Sequence, residues 1–252
     1  MPLYIVATPI GNLADITYRA VTTLRDADLI CAEDTRVSRR LLDAYGITTA
    51  VTPYHDFNKE RATAAIMISL REKKHVAIIS DAGTPGIADP AFNLVREALR
   101  EGVEVFPLPG PAACITALVA SGLPTDRFVF ENFLPHKSAA RRRLFESLRS
   151  EPRTVIFYET PHRIVKVLQE LDDVLGDIAV VVGREMTKIY EEFLRGTPKM
   201  LLQHFAVKKP RGEMVVLING RIRELFASVE KNGIGDGDVR DDEVDEGFPA
   251  EF

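Results

Sequence analysis

Four short segments carry residue types that can bind and activate a ligand: TPIGNLAD (8–15), AEDTR (32–36), SDAGTPG (80–86) and PGPAA (109–113). Each follows an apolar, β-rich run and supplies small residues, prolines or carboxylates. Glycine lets a ligand approach the backbone, and proline stiffens a turn. One such segment is an ordinary strand-to-helix turn. Four at one sheet edge point to a ligand site, because ligands of open parallel sheets bind beyond the carboxyl ends of the strands. TPIGNL has a single Gly where a dinucleotide site needs G-x-G-x-x-G, and no G-x-x-x-x-G-K-[ST] occurs. Glu33 and Asp34 stand about twenty residues further on, where a ribose-binding acid belongs in that fingerprint. An adenosine ligand without phosphates fits these loops better.

The same rim offers three proton acceptors: Glu33, Asp34 and His55 of YHDFN. Asp34 and His55 are the candidate catalytic bases. Each has a structural alternative: Asp34 as an ion-pair partner of Arg36 or cap of the following helix, His55 as a hydrogen-bonded loop residue. Asp89 precedes Pro90 and reads as a helix N-cap, while Asp81 adds negative field. Three basic clusters suit a polyanion: Arg36/Arg39/Arg40, Lys137/Arg141/Arg142/Arg143 and Lys208/Lys209/Arg211. Such runs are otherwise solvated helix faces. Phe133 and Tyr158 offer stacking surfaces, whereas Phe157 reads as core.

The elements that must position these groups alternate. Strands are expected at 3–9, 27–33, 49–54, 74–80 and 103–109, with helices near 15–25, 36–45, 58–73, 90–101 and 111–121. This alternation predicts an α/β unit with a largely parallel sheet. SGLPTDRF (121–128) reads as a linker. Beyond it, strands are expected near 127–133, 153–159, 178–184, 190–195 and 214–219, and helices near 138–149, 161–175 and 197–206. The organisation is thus an N-terminal α/β domain (1–122), a smaller C-terminal α/β domain with hairpin-like strands (123–222), and a tail (223–252).

The 252 residues carry a net charge of −5. The last 32 hold 10 Asp/Glu against 4 Lys/Arg, so the preceding 220 sum to +1 and remain compatible with a polyanionic partner. The tail is acidic, Gly-rich and without periodicity, which predicts disorder. No apolar run reaches the ~18 residues of a membrane helix, and the first residues lack the basic start of a secretory signal. Cys31 and Cys114 read as buried thiols with no metal-ligand spacing. These features predict a cytoplasmic protein that binds no metal.

TPIGNLADIT, AEDTR, SDAGTPGIADP, PGPAACITALVASGLP, FLPHK, FYETPHR, REMTK, YEEFLRG and RGEMVVLI follow one another in this order. Together they resemble the tetrapyrrole-methylase-like superfamily and, within it, the ribosomal small-subunit methyltransferase I family, over residues 3 to about 220. The resemblance implies two α/β domains with S-adenosylmethionine in the cleft between them. It implies 2′-O-methylation of a cytidine ribose in small-subunit ribosomal RNA, and a homodimer. Carried over motif by motif, the cofactor contacts are Pro9, Ile10, Ala82, Gly83, Thr84, Ile87, Ala112, Ala113, Glu159 and Met186, with Asp81 as the nearest acid. Superfamily relatives carry an acid within G-D-P where this chain has Thr84 in G-T-P. Arg36 and Lys137 stand in family-like motifs at loop-to-helix junctions and, with Arg141 and Lys188, are the expected substrate contacts. Many members continue into a further helical region where this sequence turns acidic; the acidic stretch is expected to repel RNA at low salt. Two rival readings remain: a methylase of a tetrapyrrole or corrin ring, and a non-catalytic module that binds an adenosyl ligand.

Overall fold

The computed structural model describes residues 2–222; the acidic tail expected at 223–252 lies outside the described residues. The first sheet has five parallel strands in the order β3-β2-β4-β1-β5, namely Leu3–Val6 (β1), Leu29–Ala32 (β2), Val51–Pro53 (β3), Val76–Ile79 (β4) and Val105–Leu108 (β5). Helices Tyr18–Asp26 (α1), Thr35–Ala44 (α2), Lys59–Arg71 (α3) and Ala91–Arg100 (α4) make the crossovers. In β4 all four residues are buried. Val76 and Ile78 join one core with α3 and α4, while Ala77 and Ile79 join another with α1 and α2. Because side chains alternate along a strand, a sheet covered on both faces must be apolar throughout.

The second sheet has the order β6-β7-β10-β8-β9, with strands Phe128–Phe133 (β6), Thr154–Glu159 (β7), Ala179–Arg184 (β8), Glu192–Gly196 (β9) and Met214–Asn219 (β10). β6 and β7 run parallel; the other neighbours are antiparallel, and β8 and β9 form the hairpin expected from the sequence. Ser138–Ser147 (α6), Ile164–Leu175 (α7) and Pro198–Val207 (α8) cover one face. Thr197 caps α8 by accepting the Met200 N–H at 3.4 Å, with Pro198 opening the helix.

The other face of this second sheet is covered by Ala113–Ser121 (α5). Sequence position assigns α5 to the first unit, yet Cys114, Ala117 and Leu118 pack against Ile156, Val181, Val215 and Leu217. The other face of α5 is apolar yet exposed, at Ile115 and Val119. Gly122, at φ +81°, ends it, and Arg195 of β9 donates to the Ala120 carbonyl at 2.6 Å, a cation placed at the negative helix end. Both cysteines are buried, and burial pushes the Cys31 thiol up to about 12. Among the described residues no helix is long and apolar enough to cross a membrane.

Candidate active site between the two sheets

A cleft of about 630 Å³ lies where the carboxyl ends of the first sheet face the second. Its first wall is Ile10 after β1, Glu33 after β2, the stretch from Ser80 after β4, and Ala112 and Ala113 at the start of α5. Two hydrogen bonds lock the loops after the neighbouring strands β1 and β4: Thr8 N–H donates to Gly83 O at 2.9 Å, and Gly83 N–H donates to Thr8 O at 3.0 Å. The Thr84 hydroxyl donates to Pro111 O at 2.9 Å and ties in the loop after β5. Asp89 caps α4 as its place before Pro90 suggests, accepting the N–H groups of Gly86 and Ala91 at 2.8 Å each.

The opposite wall is Phe133 at the end of β6, Tyr158 to Pro161 at the end of β7, the β8–β9 loop through Glu185, Met186 and Lys188, and Gly212 to Val215 leading into β10. Lys188 donates to Glu185 at 3.0 Å and to Glu213 at 3.2 Å. Burial works against its charge, but those carboxylates outweigh it and keep the ammonium above the ordinary lysine value. Burial raises Glu159 above the usual carboxylate range. One Glu159 oxygen takes the Thr160 N–H at 2.8 Å, while Oε2 is buried 3.3 Å from the Arg163 guanidinium. On the first wall, burial and then the charges of Asp81 and Asp89 raise Glu33, and burial raises Asp89, whose Oδ2 is also buried and unpartnered. Backbone strain gathers here too. Ala88, Glu185 and Thr187 have φ of +68°, +48° and +67°, and Asn132, at +58°, precedes Phe133. Strained residues of this kind cost about 1–3 kcal/mol each and concentrate at ligand sites.

Residues 2–201 match the family described as Tetrapyrrole (Corrin/Porphyrin) Methylases. Proteins named ribosomal RNA small subunit methyltransferase I are similar over most of the chain. The one from Thermotoga maritima is 47% identical over 87% of this chain and 98% of its own. That from Synechocystis is 46% identical over 93% of this chain and 84% of its own. The chain belongs to the ribosomal RNA small subunit methyltransferase I family. Solved structures carry the same fold at low identity. A cobalt precorrin-4 methyltransferase superposes with TM-score 0.65 at 21% identity, over 86% of this chain and 94% of its own. A diphthine synthase gives 0.70 at 16%, over 87% and 90%.

Set on this member of the methyltransferase I family, most residues expected at the cofactor fall on the cleft walls: Ile10, Asp81, Ala82, Gly83, Thr84 and Ile87 from the first two loops, and Ala112, Ala113, Glu159 and Met186 from the others. Lys188, expected at the substrate, is there as well. Pro9 is half-buried behind Ile10 and is not on the wall. Lys137 is exposed, four residues past Phe133.

The structure places four further expected site residues off the cleft wall. Arg141 is 2% exposed, its guanidinium donates to Glu170 at 2.6 and 2.8 Å, and further bonds reach the Pro135 and His136 carbonyls. Asp34 is turned away from the cleft. Both its oxygens are held by Arg36, at 3.1 and 2.7 Å, and Oδ1 also caps α2 through the Arg36 N–H. Those Arg36 donors hold its carboxyl at about 2, which makes it a weak proton acceptor. Arg36 is correspondingly engaged, on an exposed helix turn off the cleft wall. His55 is also off the wall; it packs edge-on against Phe57, and its backbone N–H donates to Asn58 Oδ1 at 2.8 Å. Asp34→Asn, which keeps a good cap, is therefore expected to leave methyl transfer within about threefold of wild type; a steady-state assay checks it.

Thr160, Glu185, Gly212 and Glu213 were not singled out from the sequence. RGEMVVLI contains a glycine opening a strand, which was the available signal. Gly212 has φ +78°, and a Cβ there would collide with the Glu185 carboxylate.

Proposed function

We propose that the protein transfers a methyl group from S-adenosylmethionine to the ribose 2′-hydroxyl of a cytidine in small-subunit ribosomal RNA. The observation that carries this reading is the chemistry of the cleft in a chain 46–47% identical to the two relatives above. Its walls bear Glu33, Asp81, Asp89, Glu159, Glu185 and Glu213, and Lys188, their one cation among the described residues, is already paired. Such a cleft suits a cation without phosphates and disfavours a nucleotide. Ala82, Gly83, Ala112 and Ala113 leave backbone groups open to the ligand, and Phe133 and Tyr158, ring centroids 5.5 Å apart, supply apolar faces.

When bound, S-adenosylmethionine supplies an electrophilic methyl group on a sulfonium. The chain holds the acceptor oxygen at near-attack distance, a device that accounts for much of the acceleration of two-substrate reactions. It also keeps a carboxylate ready for the hydroxyl proton. Tritium from methyl-labelled cofactor should enter the RNA of small ribosomal subunits isolated from cells lacking the gene, at a ribose. Label in a corrinoid with none in RNA, or cofactor binding with no transfer at all, overturns the reading.

The raised carboxylates give a sign to the pH dependence of binding. Glu33 and Asp89 hold protons to higher pH than ordinary carboxyls. A bound sulfonium favours their charged forms, so binding from the acid side expels a proton. Cofactor affinity should therefore rise with pH through the raised carboxylate range and level off above it. The slope is up to about tenfold per pH unit for each proton released. S-adenosylhomocysteine, which lacks the sulfonium charge, should show a much flatter profile in the same calorimetric titration.

A further inference from the structure

We propose that Glu33 is the catalytic base that takes the proton of the acceptor hydroxyl. This rests on the reading of the cleft as a ribose methyltransferase site. The side chains at the end of β2 divide: Glu33 faces the cleft, while Asp34 turns out to cap α2 and hold Arg36.

The other carboxylates on the walls are engaged. Asp81 accepts the Asp34 N–H at 2.9 Å. Asp89 holds two backbone N–H groups of its own turn through Oδ1, and its Oδ2 is buried. Glu159 takes the Thr160 N–H and lies 3.3 Å from Arg163. Glu185 and Glu213 hold Lys188. Glu33 forms no ion pair among the described residues, and none of their side chains donates to it. It is a half-buried carboxylate on a cleft wall, held by the Asp81 backbone N–H and by no cation among the described residues.

Its surroundings set its basicity. Burial, Asp81 and Asp89 raise it most, Asp56 on the loop after β3 adds to this, and the Asp81 N–H offsets only part. Across the cleft stand Glu159, Glu185 and Glu213, with Lys188 neutralised between the last two. A base works best when its acidity constant approaches the working pH. Glu33 is shifted in that direction, and Asp34 is shifted away from it.

The step balances. As the 2′-oxygen bonds to the methyl carbon, the carbon–sulfur pair stays on sulfur and the hydroxyl proton passes to Glu33. A sulfonium, an alcohol and a carboxylate become a thioether, a methyl ether and a carboxylic acid. Two opposite charges vanish together, so no charge is left isolated in the cleft.

The test is Glu33→Gln, measured as single-turnover methyl transfer to small ribosomal subunits at saturating cofactor. The rate should fall about 10²–10⁴-fold, while the calorimetric affinity for S-adenosylmethionine stays within about tenfold. Wild type should show a single-turnover rate that climbs with pH through one ionisation and then levels, and ¹³C-carboxyl NMR should place that ionisation on Glu33. Transfer by the Gln variant within about threefold of wild type overturns the proposal. So does a rate defect erased by more cofactor. Should the variant fail to fold, the wild type alone decides: a flat profile over about pH 5–8, or a Glu33 titration that does not coincide with the rate, overturns it. Wild type that labels no RNA instead overturns the functional reading, a different result from RNA labelled equally by both proteins.

Discussion

Arg141→Met should lower the free energy of unfolding by about 3–5 kcal/mol, the usual loss when one partner of a buried ion pair is removed. Arg141 and Glu170 are each about 2% exposed and meet through two hydrogen bonds, joining α6 to α7. Ser138 donates a third bond to Glu170 at 2.6 Å. Burial alone raises Glu170, but the donors outweigh it and hold the carboxyl below its ordinary value. Without Arg141 a carboxylate would remain buried with one hydroxyl donor, the His136 carbonyl would lose its Arg141 donor, and the Pro135 carbonyl would keep only Arg163. Chemical denaturation should show the lowered midpoint. The double variant Arg141→Met/Glu170→Leu should recover most of the loss, because an apolar pair of similar volume restores packing without desolvating charge. Methyl transfer should follow the folded fraction in both. Transfer lost from a fully folded Arg141→Met protein would return Arg141 to the substrate side.

What hides the burial of Arg141 in the sequence is its neighbours. RRR at 141–143 looks like a solvated or RNA-facing run. Helical spacing tells them apart: Arg141 lies four residues before Phe145, which is fully buried, and Glu170 shares the buried face of α7 with Val167, Leu171 and Val174. A single charge on the apolar stripe of each of two neighbouring helices is the mark of a buried pair. Arg142, one step round α6, pairs with Asp173 at the surface.

Most of the fold was legible because its strands are short apolar runs cut by turn residues, and its helices keep amphipathic spacing. The first cleft wall was legible for a related reason. A parallel sheet brings the ends of its strands to one edge, so loops 8–15, 80–86 and 109–113 had to converge there. The second wall was harder. Glu213 meets Lys188 only because β10 inserts between β7 and β8, and no local pattern encodes that strand order. The direction in which Glu33 and Asp34 part was equally hidden, since it depends on how α2 leaves the sheet. α5 illustrates the same gap: its apolar composition does not say which sheet it packs on, nor that Ile115 and Val119 stay exposed.

Gly83→Val should weaken S-adenosylmethionine binding by about 100-fold, equivalent to about 2.8 kcal/mol, with little change in secondary structure. Gly83 has φ +86°, a region closed to β-branched residues without strain. A Cβ there would sit 3.4 Å from Ile10 Cγ2 and 3.7 Å from Pro111 O, so space for the first carbon exists and the backbone angle is the obstacle. Valine adds two methyl groups to that crowding. The chain's escape is to rotate Gly83 out of the left-handed region, which breaks both hydrogen bonds to Thr8 and shifts Ala82 and Thr84 with it. Those residues and Ile10 are the cleft wall, so strain of about 1–3 kcal/mol in the loop emerges as lost affinity rather than as unfolding. Thr84→Val is the milder companion. It removes one hydroxyl bond to Pro111, worth about 1 kcal/mol, and should weaken binding about fivefold. The order Val at 83, then Val at 84, then wild type in a calorimetric titration would tie affinity to the locked loops. Unchanged affinity at Gly83→Val would place the adenosyl group away from them.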